Sequence, residues 1–272
     1  MSAIGEQSPT SGWRAQLELT FARAAGRTRI VARQHRGPLL VQRPFYPEGD
    51  VCHAYIVHPP GGVVGGDELH LHVETKDEAH ALLTTPAAAK FYRSDGRTAR
   101  QEQILRADDT TLEWLPQESI FYPQARVRSL TRIELGSRAR FIGWEIACLG
   151  LPARKQPFDS GELRLHLELW AEGAPLLIDR LRISGDTRWG LGGHESIGTL
   201  LAYPATRAMV DAVRNLQPQG VELGVTLVDK VLVCRALAAQ AEPIKRAFIE
   251  IWQTLRPLLL DRPAVPPRIW AT

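Results

Sequence analysis

The chain has 272 residues, 44% of them hydrophobic and 23% charged, with a formal net charge of +3. That is enough material for one large domain or two small ones with a core, and the absence of any run of about 18 apolar residues excludes a bilayer-spanning helix. The cations are scattered arginines, with lysine only at 76, 90, 155, 230 and 245, and no aromatic interleaving that would suggest nucleic-acid binding.

In chain order, the small polar residues MSAIGEQSPTSG open the sequence without the charged and apolar regions of a secretory signal, and predict a disordered tail over 1–13. Runs of period two then dominate: LHLHVET, DEAHALLTTP, ARQEQILRA, TLEWLPQES, VRSLTRIEL and ARFIGWEIA, separated by turn material at intervals of roughly ten residues. ELRLHLELW (162–170) sets Leu163, Leu165, Leu167 and Leu169 against Arg164, His166 and Glu168, and the AEGA turn before PLLIDRLRI completes a hairpin. Helical spacing appears in PATRAMVDAVRNLQ (204–217), where Pro204 suits a first turn, and in PIKRAFIEIWQTLR (243–256). The second has an apolar stripe of Ile244, Ala247, Phe248, Ile251, Trp252 and Leu255. The proline-rich end predicts an extended tail over 261–272. With no internal repeat or linker, the expected fold is mainly β. It is a single large domain over 14–260, with many antiparallel and mixed strands and two α-helices in its C-terminal third.

The cysteines, Cys52, Cys148 and Cys234, are odd in number, form no CxxC pair and sit among apolar residues. They read as buried reduced thiols of a cytoplasmic protein. Among the chemistry-bearing stretches, HPPGGVVGGDEL (58–69) has the glycine content of a phosphate loop. Asp67 and Glu68 stand where a P-loop needs lysine and a hydroxyl, and they would repel phosphate. No GxSxG elbow accompanies it as an oxyanion hole. A rigid turn that presents Asp67 remains. His70, His72 and Glu74 share one strand face, spaced either as ligands for a borderline metal or as an ordinary exposed row. Glu145 and Asp179 interrupt apolar strands, so each requires an arginine, water or a cation beside it. No nucleophile–base constellation is legible, and no enzyme is expected.

Three blocks carry a resemblance to a known family: GPLLVQRPFYPEGDVCHAYIVHPPGGVVGGDELHLHVE, TTPAAAKFYRSDGRTARQEQ and LEWLPQESIFYPQA. In their order and spacing they resemble the urease accessory proteins called UreD (UreH in some organisms), and GWEIACLG extends the match. One loop departs from the family pattern, GLPARKQPF, with Leu151 and Gln156 where arginine and glutamate are usual. The resemblance implies a mainly β fold with a pair of helices and a non-enzymatic role in urease maturation. The implied partners are UreF, the GTPase UreG (through UreF) and urease apoprotein, with nickel as cargo and no permanently bound cofactor. An internal polar path for nickel would use Asp67, Glu145 and Asp179 as weak, hydrated ligands, with His70 and His72 as an alternative. The contrasting expectation is a binding module that opens urease without touching nickel. Surface patches near the second helix, Trp170 or Trp189 are candidate contact points.

Overall fold

The structure, a computed structural model, describes residues 12–185 and 191–271. Two sheets and a helix layer are built, among these residues, from seventeen strands and two α-helices. The strands are β1 (Arg14–Ala24), β2 (Arg27–Arg36), β3 (Leu40–Val41), β4 (Cys52–Val57), β5 (Glu68–Lys76) and β6 (His80–Thr84). They continue with β7 (Ala89–Phe91), β8 (Ala99–Ala107), β9 (Thr111–Trp114), β10 (Ser119–Phe121), β11 (Arg126–Leu135) and β12 (Arg140–Leu149). The rest are β13 (Glu162–Ala171), β14 (Ala174–Ser184), β15 (Ser196–Tyr203), β16 (Glu222–Val228) and β17 (Val231–Ala238). The helices are α1 (Arg207–Arg214) and α2 (Ala241–Leu260).

From β4 to β13 the chain winds as a coil. It alternates between the sheets, and each long strand pairs in parallel with the strand one turn earlier. The seven-stranded sheet runs β14-β13-β11-β8-β5-β1-β2, and the main path of the ten-stranded sheet runs β16-β17-β15-β12-β9-β6-β4-β3. The predicted hairpin is β13–β14, and its leucines point inward as the alternation requires. The three cysteines are buried and free.

The layers explain two kinds of strand sequence. The ten-stranded sheet is covered on both faces, so β12 reads FIGWEIACL, apolar at nearly every position. Phe141 packs between the sheets, while Ile142, Trp144 and Ile146 pack with Phe248, Ile251 and Trp252 of α2. A Cβ at Gly198 of β15 would lie 2.6 Å from Ile244, so glycine is what lets α2 settle on the sheet. The seven-stranded sheet has one face in the sandwich and one in solvent, and its strands alternate.

Both predicted helices form, with shifted ends. The first begins three residues beyond Pro204, because the Thr206 side chain caps it by accepting from the Met209 amide. The second continues through Pro257 to Leu260, since Leu259 and Leu260 are buried against the same core. The proline-rich end is extended only over residues 263–267, since Arg268–Ala271 forms a short 3-10 helix, and it is docked: Arg262 grips Asp50 at 2.6 and 2.9 Å, and Trp270 packs against Trp144 and Trp252. At the other terminus, the Trp13 carbonyl accepts from the Glu68 amide, and residues 1–11 of the predicted tail lie outside the described residues. Trp189 lies outside them too, while Trp170 is partly buried beneath Arg132.

Candidate functional site

Strand register brings two of the three predicted acids together. On β12, Phe141, Glu145 and Ala147 face the interior of the sandwich, and Glu145 pairs in register with Thr199 of β15, which pairs with Arg235 of β17. On the opposite sheet one register row reads Gln103, Thr131, Leu167, Asp179 across β8, β11, β13 and β14. These two partly polar rows meet face to face. The Thr131 hydroxyl donates to Glu145, and Arg235 pairs with Asp179 at 2.7 Å.

Between the rows lies a cavity of about 110 Å³, lined among others by Gln101, Gln103, Ser129, Glu145, Asp179 and Arg235. That volume holds several waters, and polar walls give them partners. Burial, opposed by the Thr131 hydrogen bond and reinforced by the charge of Asp179, pushes the Glu145 carboxyl up to about 7. A second cavity of about 90 Å³ shares Thr85, Gln101, Gln103 and Trp114 with the first and reaches His58. The buried indole N–H of Trp114 meets no protein acceptor among the described residues, and donors in such places are satisfied by water. Burial lowers the His58 pKa against the opposing charge of Asp67. Arg235, half-exposed on β17, lines the first cavity and reaches across to Asp179 on the edge strand β14.

Asp67 does not line either cavity among the described residues. Its carboxylate is buried and engaged by backbone: Oδ2 accepts from the Val64 amide at 2.9 Å and Oδ1 from the Trp13 amide at 3.3 Å. The glycines serve that clasp. Gly66 has φ +93°, and a Cβ on Gly65 would stand 2.8 Å from the Arg97 carbonyl. His70 and His72 lie on the outer face of β5, near Glu68 at 3.5 Å and Glu102 at 3.7 Å respectively. Among the described residues no group of three or more His, Cys, Asp or Glu side chains is arranged to hold a metal ion.

Another polar cluster escapes the sequence. Beneath α2, Arg256 binds Glu113 at 3.0 Å and Glu48 at 2.8 Å, Trp252 donates to Glu113 at 2.6 Å, and His80 and His53 each approach one of the carboxylates at 2.7 Å. Burial works against the charged Glu113, yet His80 and Arg256 hold its carboxyl down to about 2. One clue was available: Arg256 follows Trp252 by four residues and so falls on the buried face of the helix.

Fold and site together define a three-layer β-coil protein enclosing a polar, carboxylate-bearing cavity between its sheets. The family profile described as UreD urease accessory protein matches residues 14–271, and the chain belongs to that family. Similar proteins named urease accessory protein UreD come from Citrobacter koseri (44% identity, 100% of this chain and 96% of the relative) and from Klebsiella aerogenes (44%, 96% and 97%). A third, from Pseudomonas putida strain GB-1, is 47% identical over 99% of this chain and 98% of its own length. No helix among the described residues is long and apolar enough to cross a membrane.

Proposed function

We propose that the protein is a cytoplasmic, non-enzymatic maturation chaperone for urease. It binds UreF, UreG through UreF, and urease apoprotein, and it assists GTP-dependent nickel insertion into the urease active site. The observation that carries this reading is similarity over nearly the full length of relatives that share one name.

Nickel enters as cargo, and the cavity between the sheets supplies a route for it. Glu145 and Asp179 are two carboxylates accompanied by neutral oxygen donors from Thr131, Thr199 and Gln103. Such a hard, sparse donor set holds a borderline cation weakly, as transfer requires, whereas several imidazoles or thiolates would trap it. Glu145 can give up a proton as the cation arrives, because its pKa of about 7 keeps both forms accessible at neutral pH. Passage also requires the Arg235 guanidinium to leave Asp179.

Two contacts favour the alternative of a module that positions urease without touching nickel: Asp67 is consumed by backbone amides, and Arg235 already neutralises Asp179. Co-purification of the tagged chain from cells expressing the urease operon tests the shared part. Recovery of UreF, UreG and urease subunits is the expected result, and a lone monomer would overturn it. The route is tested with Glu145→Ala/Asp179→Ala. If complexes form normally while urease nickel content and activity fall, nickel uses the cavity; normal nickel loading assigns the module reading.

A further inference from the structure

Both helices pack on the ten-stranded sheet, which leaves the outer face of the seven-stranded sheet without a helix layer among the described residues. Charges on that face follow two opposite rules. Near one end they alternate across neighbouring strands. Arg106 donates to its register partner Glu134 at 2.6 Å, and Arg132 pairs with its partner Glu168 at 2.9 Å. Near the other end, Arg100, Arg128, Arg164 and Arg182 are direct register neighbours on β8, β11, β13 and β14.

Strands lie about 4.8 Å apart, so these four side chains rise within about 15 Å of one another. Like charges directly opposite each other in a sheet are destabilising. Internal compensation is thin. Glu162 alone serves Arg164 at 2.8 Å, Arg182 at 3.4 Å and Arg126 at 3.5 Å. Arg100 and Arg128 are exposed and make no ion pair among the described residues. A depression of about 310 Å³ runs along the row, with His70 and His166 in its walls.

We propose that this arginine row is a docking surface for a carboxylate-rich face of a partner protein. Guanidinium forks match carboxylates two bonds at a time, and a partner's acids would supply the counter-charge that neighbouring rows find within the sheet. The acids in the patch select the class of partner. Glu68, Glu102 and Glu162 stand among the arginines, where a continuous phosphate backbone or an anionic bilayer would be forced against them. Discrete aspartates and glutamates can pair with the arginines and leave those three facing water. The inference is independent of the urease reading, since it specifies the chemistry of the partner surface and not its identity.

The test uses the full chain and three fluorescent probes: a glutamate-rich helical peptide, a single-stranded oligonucleotide of equal charge, and phosphatidylserine vesicles. The peptide is expected to bind best, with affinity that falls as salt is added. Arg100→Glu/Arg128→Glu should weaken it by about tenfold or more, and Glu162→Gln should tighten it. Arg128 has arginine on both sides, so Arg128→Glu alone removes two like-charge contacts and should keep or raise Tm. The double reversal restores one between positions 100 and 128 and sets another against Glu68, and should lower it. Should the doubly reversed chain unfold, Arg128→Gln and Glu162→Gln, read for opposite shifts in peptide affinity, decide the matter. Preferred binding of the oligonucleotide or vesicles would overturn the proposal, as would unchanged peptide affinity in the arginine variants.

Discussion

Arg256 and Glu113, 143 residues apart in sequence, form a fully buried ion pair with Nε 3.0 Å from the carboxylate. Glu113 belongs to β9 at the centre of the coil and Arg256 to α2, so the pair fastens the helix layer to the sheet beneath it. Glu48 takes the other side of the guanidinium, and the Pro263 carbonyl accepts from it as well, which ties in the docked C-terminal segment.

Breaking one side of this pair therefore costs more than removing both. Arg256→Ala strands two carboxylates in the interior and is expected to lose about 3–5 kcal/mol. Arg256→Met combined with Glu113→Gln and Glu48→Gln retains volume and removes both stranded charges, and should lose less. Urea unfolding of the two variants measures the difference. An equal loss in both would show that packing and not charge holds α2 in place.

The same pair sets the acid limit of stability. Glu113 has its pKa lowered from 4.5 to about 2 in the folded chain. The unfolded state binds the more protons between those values, so the stabilisation is fully present above pH 4.5 and is lost as pH falls toward 2. Glu113→Gln should flatten the acid side of a Tm-against-pH curve. An unchanged slope would assign acid sensitivity to other carboxylates, among them Asp50 and Glu48.

These contacts also mark what could be read in the sequence. Alternation showed the β13–β14 hairpin, and the stripe from Ile244 to Leu255 showed α2, because each pattern depends on one packed face. The coil was not legible. Stacked positions 52, 81, 112 and 141 are separated by steps of 29, 31 and 29, yet they are Cys, Ala, Leu and Phe. A stacked column needs complementary volumes and not identical residues, so a structural repeat leaves no sequence repeat. Glu145 and Asp179 stood out because an acid in an apolar strand requires a partner. Glu113 did not, since alternation in TLEW places it away from the sandwich, and only the helix layer turns that face into a second interior. Asp67 was legible as the product of a rigid turn, but its partners are backbone amides that no side-chain pattern announces.

Glu145 has the opposite pH dependence to Glu113. Its pKa is raised from 4.5 to about 7, so the folded state binds the more protons in that window. Stability falls as pH rises through it, and the ionised carboxyl costs on the order of 3 kcal/mol above pH 7. Glu145→Gln keeps a hydrogen-bonding partner for Thr131 and cannot ionise. It is expected to raise Tm at pH 8 and to leave Tm at pH 5 nearly unchanged. A uniform shift at both values would mean that the cavity does not perturb this group.

Asp67 offers a prediction in which stability and function can be separated. Removing its carboxylate in Asp67→Ala leaves the Val64 and Trp13 amides without their acceptor, at about 1–3 kcal/mol for an unsatisfied buried group. Asp67→Asn retains one carbonyl oxygen and should recover part of that loss. If Asp67 acts only as the clasp of its glycine turn, urease activation measured in cells should follow stability through the series, with the alanine variant lowest. Near-wild-type Tm with abolished activation in Asp67→Asn would instead require the negative charge itself. That result would return Asp67 to the nickel route, acting through the neighbouring His58 that lines the second cavity.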